Sequence, residues 1–144
     1  MRKKIVAVCA AAVVLVAVIL SPHFINNYSA ARNIQKLESL PLPEGTERIE
    51  SLSLAQRLGL TGNGMQFFGA LLVESDLSLE ELREFYSAYD GCTVKEQLGK
   101  KIDIGILMKD IYFETEPDPD KSYYIIYSWG EGVPPFTWLD IRGF

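Results

Sequence analysis

Histidine and cysteine are scarce in this chain of 144 residues, which has one His (His23) and two Cys (Cys9 and Cys92). A Cys/His zinc cluster needs four ligands and is excluded by that count. Cys9 lies inside an apolar run, so Cys92 stands alone in the remainder and no intrachain disulfide is available. Nucleophilic catalysis also lacks its parts. No histidine follows position 23, no Ser sits in a Gly-x-Ser-x-Gly elbow, and Cys92 follows Asp90-Gly91 instead of opening a helix that would lower its pKa. Positive charge is sparse beyond the first four residues. Taking Arg2, Lys3 and Lys4 from the 14 cations leaves 11 against 19 carboxylates, a formal charge of -8, which argues against nucleic acid and against a domain drawn to anionic lipid by charge.

The chain does have a long uncharged segment. Met-Arg-Lys-Lys is followed by sixteen apolar residues, Ile5 to Leu20, ten of them Ile, Val or Leu. At the mid-helix insertion values of those ten residues, transfer into a bilayer is favoured by about 3 to 6 kcal/mol. Sixteen residues rise about 24 Å, short of a hydrocarbon core of about 30 Å, and extension through Ser21-Pro22-His23-Phe24-Ile25 completes a span. A cleaved signal is the alternative. The nearest small-x-small site, Ser29-Ala30-Ala31, lies far beyond the apolar run and favours retention. The cations precede the run, which predicts a cytoplasmic amino terminus and the remainder outside. Cys9 reads as a small apolar residue facing lipid.

Residues 26–144 suffice for one domain. Ala30, Ala31, Ile34, Leu37 and Leu40 fall at steps of three or four and predict a juxtamembrane helix over Tyr28 to Leu40, stopped by Pro41 and followed by an extended spacer to Gly45. A hairpin is expected from strands at Arg48–Arg57 and Met65–Glu74. Gly62-Asn63-Gly64 supplies its turn; a dinucleotide fingerprint there would need Gly where Phe67 stands. The second strand is apolar on both faces and belongs in the middle of a sheet, and Gly69 within it predicts a bulge or the close approach of another element. Ser78 and Glu81 form a capping box opening a helix from Leu79 to about Tyr89, with Leu79, Leu82, Phe85, Tyr86 and Tyr89 as its buried stripe. Further strands are predicted at Cys92–Leu98, Ile102–Phe113, Tyr123–Trp129 and Phe136–Ile141. The expected fold class is therefore α+β: a transmembrane helix (5–25, after a cytoplasmic basic end at 1–4), a juxtamembrane helix and spacer (26–45), and an extracytoplasmic domain (46–144) whose antiparallel sheet of about five strands carries one main helix on a face.

Three constellations could bear chemistry. Glu114, Glu116, Asp118 and Asp120 suggest calcium, but Pro117 and Pro119 stiffen the segment and the EF-hand offsets are missing, so a solvated loop is the simpler account. Asp103 and Asp110 would be the carboxylates of an envelope hydrolase, the alternative function. The aromatic residues near the carboxyl end offer a third possibility. Tyr124, Trp129, Phe136 and Trp138 are the candidate ligand surface for a protein or glycan, because an alternating strand cannot bury all its aromatics on one face. Asp140 and Arg142 are expected to form a structural ion pair. No cofactor is implied, and the predicted contacts are membrane lipid through residues 5–25 and a partner in the envelope.

The segments Pro-x-Pro-Glu-Gly-Thr at Pro41 to Thr46, Gly-Asn-Gly-Met-Gln-Phe-Phe-Gly-Ala at Gly62 to Ala70, Asp-Leu-Ser-Leu-Glu-Glu-Leu at Asp76 to Leu82 and the Leu-Asp-Ile-Arg-Gly ending follow the basic start and the apolar helix. In this the chain resembles small, single-pass, membrane-anchored proteins of Gram-positive bacteria. The resemblance implies an anchored architecture, and it implies no activity because such proteins carry no assigned chemistry. The function expected is a non-catalytic, membrane-tethered extracytoplasmic binding or assembly module.

Overall fold

A computed structural model describes residues 2–59, 64–105, 107–130 and 137–143. One helix, α1 (Arg2–Glu38), runs through both the apolar segment and the stretch expected as a separate juxtamembrane helix. Pro22 lies inside it and leaves the Val18 carbonyl without its usual N–H donor; the Ser21 hydroxyl donates to that carbonyl at 2.9 Å. The two halves of α1 meet different surroundings. Ile5 to Leu20 are exposed throughout, and the helix is long and apolar enough to cross a membrane. From position 26 onward the helix is a core element, with Asn26, Ala30, Asn33, Ile34 and Leu37 buried at steps of three and four.

The sheet has four antiparallel strands among the described residues, β1 (Thr46–Gln56), β2 (Gln66–Ser75), β3 (Thr93–Glu96) and β4 (Tyr123–Trp129), in the order β1-β2-β4-β3. The hairpin of β1 and β2 pairs Thr46 with Ser75 through Gln56 with Gln66, with a register shift between Arg48 and Glu50; residues 60–63 of its turn lie outside the described residues. β2 is an interior strand, as its two-sided apolarity requires.

The helices cover one face. Leu71 and Val73 of β2, Val94 of β3 and Tyr124 and Ile126 of β4 pack with Ile34 and Leu37 of α1 and with Leu82 and Tyr86 of α2 (Leu79–Tyr86). The capping box is formed: the Glu81 N–H donates to Ser78 Oγ (3.3 Å) and the Ser78 N–H returns to Glu81 Oε2 (2.8 Å). α2 ends at Tyr86, earlier than the apolar stripe suggests, because the Ser87 hydroxyl takes the Glu84 carbonyl at 2.6 Å and the chain continues as turns to Gly91. Gly69 faces α1: a Cβ there would stand 3.1 Å from Asn33 Nδ2 and 3.3 Å from the Ile34 backbone, so the strand carries glycine where the helix approaches.

The opposite face is covered by irregular chain. Ile102, Ile104, Ile111 and Phe113 pack on Phe68, Ala70, Leu72, Ile125 and Tyr127. Two of the expected strands are therefore corrected. Residues 102–113 alternate like a strand yet, among the described residues, form only isolated bridges, Lys101 with Tyr112 and Gly59 with Leu107. The buried Gln97 side chain donates to the carbonyls of Gly99 and Lys101 and turns the chain away from the sheet after β3. The segment expected as a strand to Ile141 instead holds two 3₁₀ turns, Thr137–Leu139 and Ile141–Gly143. Asp140 Oδ1 accepts the Arg142 N–H at 3.1 Å, a local bond that competes with extended pairing. The acidic loop is held from β1, where the Glu50 carboxylate receives the N–H groups of Glu114 (2.9 Å) and Thr115 (2.8 Å). Partial burial pushes its pKa up, but those bonds, a further one from the Thr115 side chain and the positive charge of Lys100 together outweigh it and leave the group below its ordinary value.

Candidate binding cleft

Arg32 and Lys36 are one turn apart on α1 and share a face, while the apolar stripe of the same helix is committed to the sheet. Both are exposed, and neither pairs with a carboxylate among the described residues. They form one wall of a cleft of about 680 Å³. The turns after α2 form the other wall, from Ala88 through Asp90 to Cys92, with Gly91 in the left-handed region at φ 79° where the chain reverses into β3. Phe67, Ser128 and Trp129 lie at the base.

A buried polar bridge fixes the spacing between α1 and the sheet beneath this cleft. Asn33 Nδ2 donates to the Ser128 carbonyl (3.1 Å), and the Ser128 hydroxyl donates back to Asn33 Oδ1 (3.0 Å). The aromatic wall is also braced, since Tyr89 stacks into a cluster with Phe85 and Tyr86 at centroid distances of 6.1 Å. Burial pushes the Cys92 thiol up, and the positive charge of Lys36 offsets that only in part, so the thiol is a poor nucleophile. Chemically the described residues of the cleft offer two cations on one side, Asp90 on the other and half-buried aromatic surface between them. That suits binding of a ligand carrying an acidic group.

The residues singled out from sequence are not gathered at one place. Tyr124 is buried against the helices and donates to the Leu77 carbonyl at 2.9 Å. Trp129 points to the opposite face, half-buried against Phe68 at a centroid distance of 5.0 Å, and borders the cleft. Trp138 is exposed on the first 3₁₀ turn, and Phe136 lies outside the described residues. Asp110 is bound on the surface to Lys101 at 2.6 Å, and Asp103 is exposed. Among the described residues no three His, Cys, Asp or Glu side chains are grouped to hold a metal ion, the acidic loop included. Arg32, Lys36 and Asn33 carried no signal as a site, although a polar Asn recurring in a buried stripe at positions 26 and 33 was a visible irregularity.

Comparison with protein-family models, with curated proteins and with solved structures finds no match.

Proposed function

We propose that this protein is a single-pass, membrane-tethered module that holds its α+β domain outside the cytoplasm and binds an acidic segment of an envelope protein in the cleft between α1 and the turns after α2. The carrying observation is the pair of cations, Arg32 and Lys36, which pair with no carboxylate among the described residues and face a half-buried aromatic wall in a domain of net negative charge. A cation pair in such a domain attracts acidic ligands against the overall field, which favours a specific contact over general adsorption. The anchor supports the same reading. Residues Ile5 to Leu20 leave their apolar side chains exposed among the described residues, and Arg2, Lys3 and Lys4 precede them, the arrangement of a span with its amino terminus in the cytoplasm.

Two measurements test it. A photo-crosslinking residue placed at Ala88, on the cleft wall, should capture a partner in native membranes that the same residue at exposed Lys109 does not, and Arg32→Glu with Lys36→Glu should abolish that capture. Equal products from Ala88 and Lys109 would refute the cleft, and a crosslinked glycan would replace the protein partner. Orientation is read from Glu116→Cys in intact cells, where an impermeant thiol reagent should label it; labelling only after lysis would place the domain inside.

A further inference from the structure

Where the apolar half of α1 gives way to its buried half, the carboxyl-terminal turns grip the helix. Asp140 is buried, and its Oδ2 accepts from Asn26 Nδ2 at 2.9 Å and from Arg142 Nη2 at 2.6 Å, while Arg142 Nε closes the fork on Oδ1 at 3.0 Å. Arg142 continues to Asn27 Oδ1 (2.8 Å) and to the His23 carbonyl (3.4 Å). Pro22 and Asn26 are fully buried on this side of the helix. The clamp therefore fixes the two 3₁₀ turns at the level of residues 22–27 of α1.

That level carries unusual exposure. Trp138 is 67% exposed and Ile141 is 84% exposed on the clamp side, and Leu139 lies between them. Phe24, 68% exposed, stands about 200° round the helix from Pro22, with Tyr28 one turn below it. Apolar and aromatic side chains thus ring the helix at one height. The sixteen residues from Ile5 to Leu20 cover only about 24 Å, so a hydrocarbon core of about 30 Å reaches residue 24 or 25. The ring then coincides with the boundary between acyl chains and headgroups, where Trp and Tyr concentrate.

We infer that Phe24, Tyr28, Trp138, Leu139 and Ile141 form a collar that seats the domain in the interfacial layer of the bilayer that α1 spans. The occupant of this surface is lipid, by continuity with the apolar helix. Charge does not draw it there, because the collar's cation, Arg142, is neutralised by Asp140. The collar rests on the reading of α1 as a membrane span, and the experiment separates the two. Full-length protein is reconstituted in phosphatidylcholine vesicles, with and without bromine near the headgroup end of the acyl chains, and its Trp emission is compared with that of Trp138→Phe. The difference isolates Trp138 and leaves the half-buried Trp129 untouched. Leu15→Trp, made in the Trp138→Phe protein, reports on the span. Loss of most of the Trp138 emission in brominated vesicles is the expected result. An unquenched Trp138, with quenching of the indole introduced by Leu15→Trp, would overturn the collar and leave the anchor standing. Quenching of neither would overturn both.

Discussion

Gly69→Ala tests whether α1 is part of the fold or a tether attached to it. A Cβ at Gly69 would meet Asn33 Nδ2 at 3.1 Å and the Ile34 nitrogen and Cα at 3.3 Å, against an ordinary contact of about 3.4 to 4 Å. A side-chain amide can swing aside, but the Ile34 contacts are helix backbone, pinned by Asn33 to Ser128 and by Asn26 to Asp140. Forcing atoms into such a contact typically costs about 1 to 3 kcal/mol. Replacing glycine inside a strand returns about 0.5 to 1 kcal/mol through the unfolded chain. At the middle of both ranges the expected outcome is a net loss of about 1 kcal/mol, with Gly69→Val worse. Thermal unfolding of the full-length protein in detergent, followed by circular dichroism, measures it. Asn33→Ala added to Gly69→Ala should recover little, because the Ile34 backbone remains in place. Parental or greater stability in Gly69→Ala would refute the close docking of α1 on β2.

In the same assay Ser78→Ala should cost about 0.5 to 2 kcal/mol and Leu82→Ala, which empties a fully buried site, about 2 to 5 kcal/mol; an unaffected Leu82→Ala would remove α2 from the core. The Arg142 guanidinium bonded to Asp140 holds that carboxyl well below the usual range against the opposing effect of burial. A depressed native pKa gives stability that is present above the unfolded value of about 3.9 and is lost as pH falls below it, so acid should loosen the carboxyl-terminal clamp, and Asp140→Asn should be less stable at neutral pH with a flatter acid limb. Burial pushes the Tyr86 hydroxyl up to about 12, and that group donates to the Pro41 carbonyl at 3.2 Å. A raised pKa gives stability that is complete below the unfolded value of about 10 and is lost as pH rises toward the native one, so unfolding should begin in that window and Tyr86→Phe should shift it upward.

What could be read from sequence was local. Ser78 and Glu81 sit three residues apart, so their reciprocal bonds depend on no distant partner, and the hairpin of β1 and β2 follows from adjacent strands. The interior position of β2 was legible from its two-sided apolarity, and Gly69 was read as a bulge or the close approach of another element, of which the structure has the approach, by α1. Residues 102–113 misled because alternation reports only which side chains turn inward; a loop folded under a sheet needs the same alternation as a strand beside it. The site was harder still. Asn26 and Asn33 look like flaws in an apolar stripe until Asp140 and Ser128 arrive from 114 and 95 residues away, and the second of those non-local bridges sets the spacing under the cleft.

An unbroken α1 also makes the protein a shaft. Its 37 residues extend about 55 Å, Ser21 repairs the proline step, and the clamp stiffens the junction, so the described helix offers no hinge between the apolar half and the cations of the cleft. Torque applied at one end is delivered at the other. If a second helix packs against the apolar half, the azimuth of that contact dictates the direction in which Arg32 and Lys36 face. One alanine inserted between Leu20 and Ser21 would turn the domain about 100° relative to such a neighbour while sparing the clamp, and a second would carry it on to about 200°. A partner held in its own membrane anchor would lose register with the cleft after one insertion and stand on nearly the opposite side after two, whereas a freely diffusing ligand would bind all three proteins alike.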